Sequence, residues 1–367
     1  MLIDAHVVRA VGGPFLYEKV ALAEPRPDEV LVRIVATGIC HTDIAIATQY
    51  FPLPLPWVLG HEGAGVVEYI GAEVQHVAVG DHVVLSFDSC GACASCRDDQ
   101  PAYCAQWFDL NLRGTRLDGS PMVTSPAGEH INGGFFRQSS FAQFALAHRR
   151  NVVKVRQDAP LELLAPLGCG IQTGAGAVLN VLRPAVGTSI AIFGAGAVGL
   201  AAIMAARING CSEIVAFDKV PSRRALALEL GATRALDPTE GCRQLIDKGG
   251  VDFSVEATGV PSVAEAAISV LTRSGTCGLL GTPPRDGKLS IDWPFLSLGR
   301  TVRGIVEGNA DPNSFIPILV DHFMAGRLPI DRIIRFYDKA DIQVAVEDCK
   351  RGVTIKPVVR YSSVASS

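Results

Sequence analysis

Two patterns of apolar positions divide the chain. Early on, short apolar runs at residues 30–35, 65–70 and 82–86 are bracketed by Gly and Pro. Such spacing predicts a β-rich, irregular barrel over about the first 165 residues. Near Thr173 the pattern changes. Apolar runs at 189–193, 213–217, 251–256 and 277–280 alternate with helix-length segments at 198–209 and 222–230. That alternation predicts a doubly wound parallel sheet. A helix at 314–325 and a short mixed tail follow, with 362–367 expected to be loose. The run at 51–57 holds three prolines and cannot be helix. It is read as a shaped loop beside a pocket, or as a polyproline ligand. Residues 190–206 are uncharged over almost the length of a membrane span. A glycine break after a short β-type run makes a buried strand, a tight turn and a buried helix the better reading.

Composition narrows the classes. At 367 residues, two domains are the natural expectation. The net charge is −4 and no Lys/Arg block occurs, which argues against a nucleic-acid or anionic-membrane partner. The N-terminus has no basic stretch followed by an apolar one, so no signal peptide is expected and a cytoplasmic location is.

Chemistry is concentrated in three places. Cys90, Cys93, Cys96 and Cys104 form a tight group with two-residue gaps between the first three. Four thiolates at this spacing suit a closed, tetrahedral structural zinc. Disulfides would need an oxidising compartment. An iron–sulfur cluster would favour a proline after the last cysteine, where Ala105 stands. A zinc ribbon uses two separated knuckles. A closed site offers no position for a substrate.

Gly194, Gly196, Val198 and Gly199 fit the dinucleotide fingerprint after a strand and at the start of a helix. Asp218 ends the next strand, where a carboxylate accepts from the adenosine ribose hydroxyls and disfavours a 2′-phosphate. NAD is therefore expected over NADP, with Arg223 and Arg224 able to soften the preference. Asp218 as a solvated turn residue is the plainer alternative.

The third place is scattered. Cys40, His61 and Cys169 would give two thiolates and one imidazole with one tetrahedral position open, as in catalytic zinc sites. Taken singly, a cysteine is more often a small buried hydrophobe. Around them, Gly-His-Glu-x2-Gly-x5-Gly-x2-Val is matched at every fixed position over residues 60–74. With the Cys-x2-Cys-x2-Cys-x7-Cys run and the segment from Val255 to Gly259, the whole chain resembles the zinc-dependent alcohol dehydrogenases of the medium-chain dehydrogenase/reductase superfamily.

The resemblance implies a GroES-like β-rich catalytic domain at 1–170 with a structural-zinc lobe at 88–106. A Rossmann NAD-binding domain would follow at 171–314, and 315–367 would return to the catalytic domain. It implies two zinc ions per chain, a catalytic one on Cys40, His61 and Cys169 and a structural one on the four-cysteine group. Asp43 would orient His61, Glu62 would be a transient ligand, and Thr42 would take the proton of the alcohol. Thr173 and Val198 would press on the nicotinamide, His41 and Lys356 would lie near the pyrophosphate, and Arg223 near the adenosine ribose. One departure stands out: Ala45 occupies the position of a relay histidine in many relatives.

The implied reaction is NAD-dependent, reversible oxidation of an alcohol by hydride transfer from a zinc-bound alkoxide. Cys169 as third ligand favours simple alcohols over polyols. Thr42, Phe51, Trp57, Phe87 and Phe295 are expected to line an aromatic, weakly charged pocket, unless these rings are ordinary core. The segment from Asn132 through Phe135, Phe136 and Phe141 is similar to that of bacterial aryl (benzyl) alcohol dehydrogenases. Primary aromatic or allylic alcohols of the benzyl alcohol type are the favoured substrates, with geraniol-type terpene alcohols or a glutathione-dependent formaldehyde dehydrogenase as alternatives. A non-catalytic binding protein on the same fold would ordinarily have lost one of the three ligands. A homodimer or homotetramer is implied, with residues 301–306 as a strand that pairs across a twofold axis.

Overall fold

A computed structural model describes residues 1–362. Residues 363–367 of the expected loose tail lie outside that range. The chain forms two compact units: residues 1–169, 311–324 and 330 onward make the first, and 170–310 with 325–329 make the second.

The first unit is built from two largely antiparallel sheets. One follows the order Trp57–Val58, Leu2–Val8, Phe15–Leu22, Val123–Thr124, His130–Ile131. The other runs Val152–Lys154, His82–Leu85, Glu62–Ile70, Glu29–Gly38, Lys356–Arg360, Ile334–Asp338, and Phe144–His148 also pairs with Glu29–Gly38. The return of the C-terminal segment is thus a strand insertion: Lys356–Arg360 pairs antiparallel with Glu29–Gly38. Strand Glu29–Gly38 pairs on both edges and is largely buried. Near-continuous apolar content fits that position better than alternation does. The stretch at 51–57 ends in Trp57–Val58, which pairs with Leu2–Val8.

The second unit holds six parallel strands in the order Arg234–Leu236, Glu213–Phe217, Ser189–Phe193, Val251–Glu256, Leu271–Leu279, Thr301–Gly304. The order reverses at Ser189–Phe193, which makes its C-terminal edge the switch point where such sheets bind ligands. Strands at 189–193, 213–217 and 251–256 fall as the apolar runs predict. The helices begin one residue earlier than expected, at Ala197–Ile208 and Pro221–Leu230. The strand expected at 277–280 is the end of Leu271–Leu279, whose polar first half hides it from a hydrophobicity pattern. Helix Pro312–Met324 and strand Thr301–Gly304 match their predicted places to within two residues. Stacked Phe193 and Phe217 (4.5 Å, 12°) centre the core of this unit. Among the described residues no helix is long and apolar enough to cross a membrane.

Candidate functional site

The scattered trio converges in the first unit. Ligand atoms of Cys40, His61, Glu62 and Cys169 lie within 4.8 Å of one another. Each arrives on a different element. Cys40 caps the helix His41–Ala47, and its amide donates to Asp43 Oδ2 at 2.9 Å. His61 precedes strand Glu62–Ile70. Cys169 follows the tight turn Ala165–Gly168. There Gly168 is required, since a Cβ would stand 2.1 Å from the Leu85 carbonyl oxygen.

Asp43 organises this cluster from a fully buried position. Its Oδ1 accepts from the Gly60 amide and from His61 Nδ1, both at 3.0 Å. A proton held on Nδ1 leaves Nε2 with its lone pair free for a metal. Nε2 is buried and has no hydrogen-bond partner. An orphaned acceptor of this kind costs stability unless something binds it. Two thiols and this nitrogen form a borderline-soft donor set that fits zinc. The neighbouring Cys169 thiol, and after it the His61 imidazole, holds the Cys40 thiol well below its ordinary value, against the burial that pushes it up.

Lys356 reaches the cluster from the C-terminal strand Lys356–Arg360. Its ammonium is buried and donates to both Glu62 oxygens at 2.9 Å and to the Ile39 carbonyl at 3.2 Å. The pair fits only because position 38 lacks a side chain: a Cβ on Gly38 would meet Glu62 Oε2 at 2.0 Å. Thr42 stands with its hydroxyl 3.7 Å from Cys40 Sγ. His41 is exposed at the start of its helix. Phe51 is 38% exposed, whereas Trp57 and Phe87 are buried in the core of the unit.

The rings that reach His61 come from the segment whose similarity pointed to aryl alcohols, not from the residues expected to line the pocket. Phe136 stacks on the imidazole (4.5 Å, 27°) and Phe135 meets it edge-on at 5.4 Å. Trp107 contacts Phe136 and Trp57 contacts Phe135. Phe136, Arg137 and Ser139 all have left-handed backbones, at φ 50°, 54° and 53°. Gln138 ties this turn to the His61 carbonyl, and Asn151 binds the carbonyls of Phe136 and Arg137. Phe295 belongs to the second unit, where it packs on the core under the Arg300 guanidinium, 3.5 Å from its ring centre.

Cys90, Cys93, Cys96 and Cys104 also come together, within 4.8 Å and unpaired by disulfides. Backbone amides of Ala92, Cys93, Ala105 and Gln106 point at their sulfurs from 3.3–3.4 Å. Amides aimed at sulfur stabilise thiolates, the form that binds metal. The Ala105 amide is the main cause that lowers the Cys93 thiol to about 6.

In the second unit the glycine motif is shaped as its spacing predicts. Gly194 has φ +94°, which favours glycine. A Cβ on Gly199 would stand 1.7 Å from the Gly194 carbonyl oxygen, while one on Gly196 would meet nothing within 4 Å. The third glycine is thus spent on packing and the second faces open space where a pyrophosphate would lie. Asp218 accepts from the amides of Ala195 and Val220, both at 2.8 Å, with Arg223 3.9 Å away. Val198 is half-buried in the helix opened by the motif. Arg224 is turned onto the carbonyls of Asp218 and Lys219. Thr173 is buried, and its hydroxyl donates to Glu307.

A β-rich unit with two sulfur-rich clusters, joined to a dinucleotide-type parallel sheet, defines a zinc-type dehydrogenase. Residues 26–157 match the alcohol dehydrogenase GroES-like domain, and 197–323 match the zinc-binding dehydrogenase domain. The chain is 47% identical over 365 residues to a geraniol dehydrogenase of Castellaniella defragrans, covering 98% of this chain and 97% of that one. Among solved structures it is similar to benzyl alcohol dehydrogenase from Acinetobacter calcoaceticus (42% identity, TM-score 0.95, 99% of this chain and 100% of that one). It is also similar to an alcohol dehydrogenase zinc-binding domain protein from Burkholderia ambifaria (51% identity, TM-score 0.97, 99% and 100%). The chain belongs to the zinc-binding alcohol dehydrogenase family.

Proposed function

We propose that this alcohol dehydrogenase reversibly oxidises primary aromatic or allylic alcohols to aldehydes with NAD. The observation that carries the substrate class is the aromatic shell at His61, in which Phe135 and Phe136 flank the imidazole and Trp57 and Trp107 back them. Flat apolar groups bind such walls by offset and edge contacts worth about 0.5–1.5 kcal/mol each beyond area. The similarity to a geraniol dehydrogenase and to a benzyl alcohol dehydrogenase supports both the allylic and the aryl reading.

Cys40, His61 and Cys169 would hold the catalytic zinc, and Cys90, Cys93, Cys96 and Cys104 the structural one. When bound, the catalytic ion supplies Lewis acidity at an alcohol oxygen. The chain's own residues do the rest. Asp43 fixes the His61 tautomer. Thr42, on the first turn after Cys40, accepts the alcohol proton as it passes its own hydroxyl proton to a ribose hydroxyl of the cofactor. Ala45 cannot relay it onward, so it leaves through water. Lys356 keeps the Glu62 carboxylate neutralised beside the thiols. In the second unit, Asp218 receives the adenosine ribose, and Thr173 and Val198 face the nicotinamide. We also infer a homo-oligomer, in which strand Thr301–Gly304, at the edge of its sheet, pairs with a second copy; light scattering at working concentration checks it, and a monomer rejects it.

Steady-state rates with NAD on benzyl alcohol, geraniol, ethanol and glutathione plus formaldehyde test the substrate reading. Benzyl alcohol or geraniol should exceed ethanol in kcat/KM by on the order of a hundredfold. Preference for ethanol or for the glutathione adduct would overturn it.

A further inference from the structure

Residues 307–309 form a turn that the catalytic reading leaves without a task. Glu307, Gly308 and Asn309 have consecutive left-handed backbones, at φ 48°, 64° and 47°. For residues with side chains that conformation is uncommon and, at Glu307 above all, persists only where surroundings enforce it. The enforcing contacts come from the buried helix Gly170–Gly176. A Cβ on Gly308 would stand 2.3 Å from the Gln172 carbonyl oxygen, and one on Gly176 would stand 2.6 Å from the Gly308 carbonyl oxygen. Turn and helix are therefore interlocked at two glycines. Asn180 adds a side-chain hydrogen bond to the Gly308 carbonyl at 3.2 Å.

What this strained turn delivers is one carboxylate. Glu307 is 7% exposed, and its Oε2 accepts from Gln172 Nε2 at 3.1 Å and from Thr173 Oγ1 at 3.3 Å. Both neighbours present a proton to the same oxygen, so Oε2 is held as an acceptor from two sides. The one proton of the Thr173 hydroxyl is committed to its hydrogen bond with Glu307. Its rotamer is thereby fixed.

We infer that Glu307 is a positioning residue of the nicotinamide site whose carboxylate, fixed against Thr173, favours the oxidised, positively charged ring over the reduced, neutral one. The inference rests on the placing of Thr173 at the nicotinamide in the proposed function. A buried negative charge stabilises a nearby cation far more than a neutral ring of the same shape. Glu307 therefore acts on the difference between two cofactor states, not on cofactor binding in general.

Equilibrium titrations of NAD and NADH by fluorescence, on the full-length, metal-loaded protein without alcohol, test this. In Glu307→Gln the Kd for NAD should rise on the order of tenfold, while that for NADH changes less than twofold. Glu307→Asp should restore the wild-type ratio. Equal changes in both constants, or no change in either, would overturn the inference. Glu307→Met is made alongside, and thermal melts decide which neutral variant is native. If both collapse while the aspartate variant folds, the carboxylate is only structural and the inference is lost. Thr173→Val separates the premise: if it alters neither constant, Thr173 is not at the nicotinamide, whatever the Glu307 ratio shows.

Discussion

His6 illustrates how far burial alone can set a residue's chemistry. It is 1% exposed, its Nδ1 shares a hydrogen bond with the Tyr361 hydroxyl, and its ring lies 4.8 Å from that of Tyr17. Burial, aided by the charge of Lys339, lowers its pKa to about 4. The unfolded chain titrates near 6.5 and so binds the proton more tightly than the folded one. This contribution to stability is therefore complete above about pH 6.5 and is lost as the pH falls toward 4, by on the order of 3 kcal/mol. Urea titrations of wild type and His6→Gln across that range should converge as pH falls; parallel curves would reject the role. Asp43 is the counterpart at the metal cluster, holding His61, Gly60 and Cys40 at once. Asp43→Asn should weaken metal retention by about 10- to 100-fold, read by chelator competition, because such partners set ligand basicity and orientation. Cys40, His61 and Cys169 are legible as a donor set by type. The Glu62–Lys356 pair is not, because its members lie 294 residues apart and no local pattern connects them.

At the scale of the element, the glycine turn separates two tasks that a motif merges. Gly196→Ala adds a methyl into open space, so the protein should melt as wild type does while NAD affinity falls by tenfold or more. Gly199→Ala drives a methyl into the Gly194 carbonyl, so stability itself should drop by on the order of 3 kcal/mol. Calorimetry with and without NAD distinguishes them, and equal melting of the two variants would refute the division. Strand and helix here were readable because consecutive residues carry the signal. The turn around Phe135 and Phe136 was not. Its glycines and aromatics suggest a loop, but three left-handed residues with side chains point the rings toward His61, and that depends on anchors as distant as Asn151.

Across the whole molecule, the parallel sheet and the β-rich unit follow from patterning, because each unit repeats one rule many times. The closing of the first unit by strand Lys356–Arg360 does not, since the pairing partner lies near the opposite end of the chain. The two cysteine-bearing clusters should behave independently. Cys96→Ser should reduce bound zinc from about two ions to about one per chain, with the catalytic ion retained and new protease cuts confined to residues 88–106. Loss of both ions, read by elemental analysis, would show that the lobe is needed to build the unit.

The three donors of the catalytic cluster come from positions 40, 61 and 169, and the second unit begins at Gly170. An ion held there is a cross-link that closes a loop of about 130 residues, among the longer closures for which a tie most reduces the freedom of the unfolded chain. The same coordination that makes the chemistry thus also fastens the β-rich unit at its last residue before the chain enters the nucleotide sheet. Demetallation is then a mechanical event as well as a chemical one, an untying of the helical segment that leads from one unit to the next.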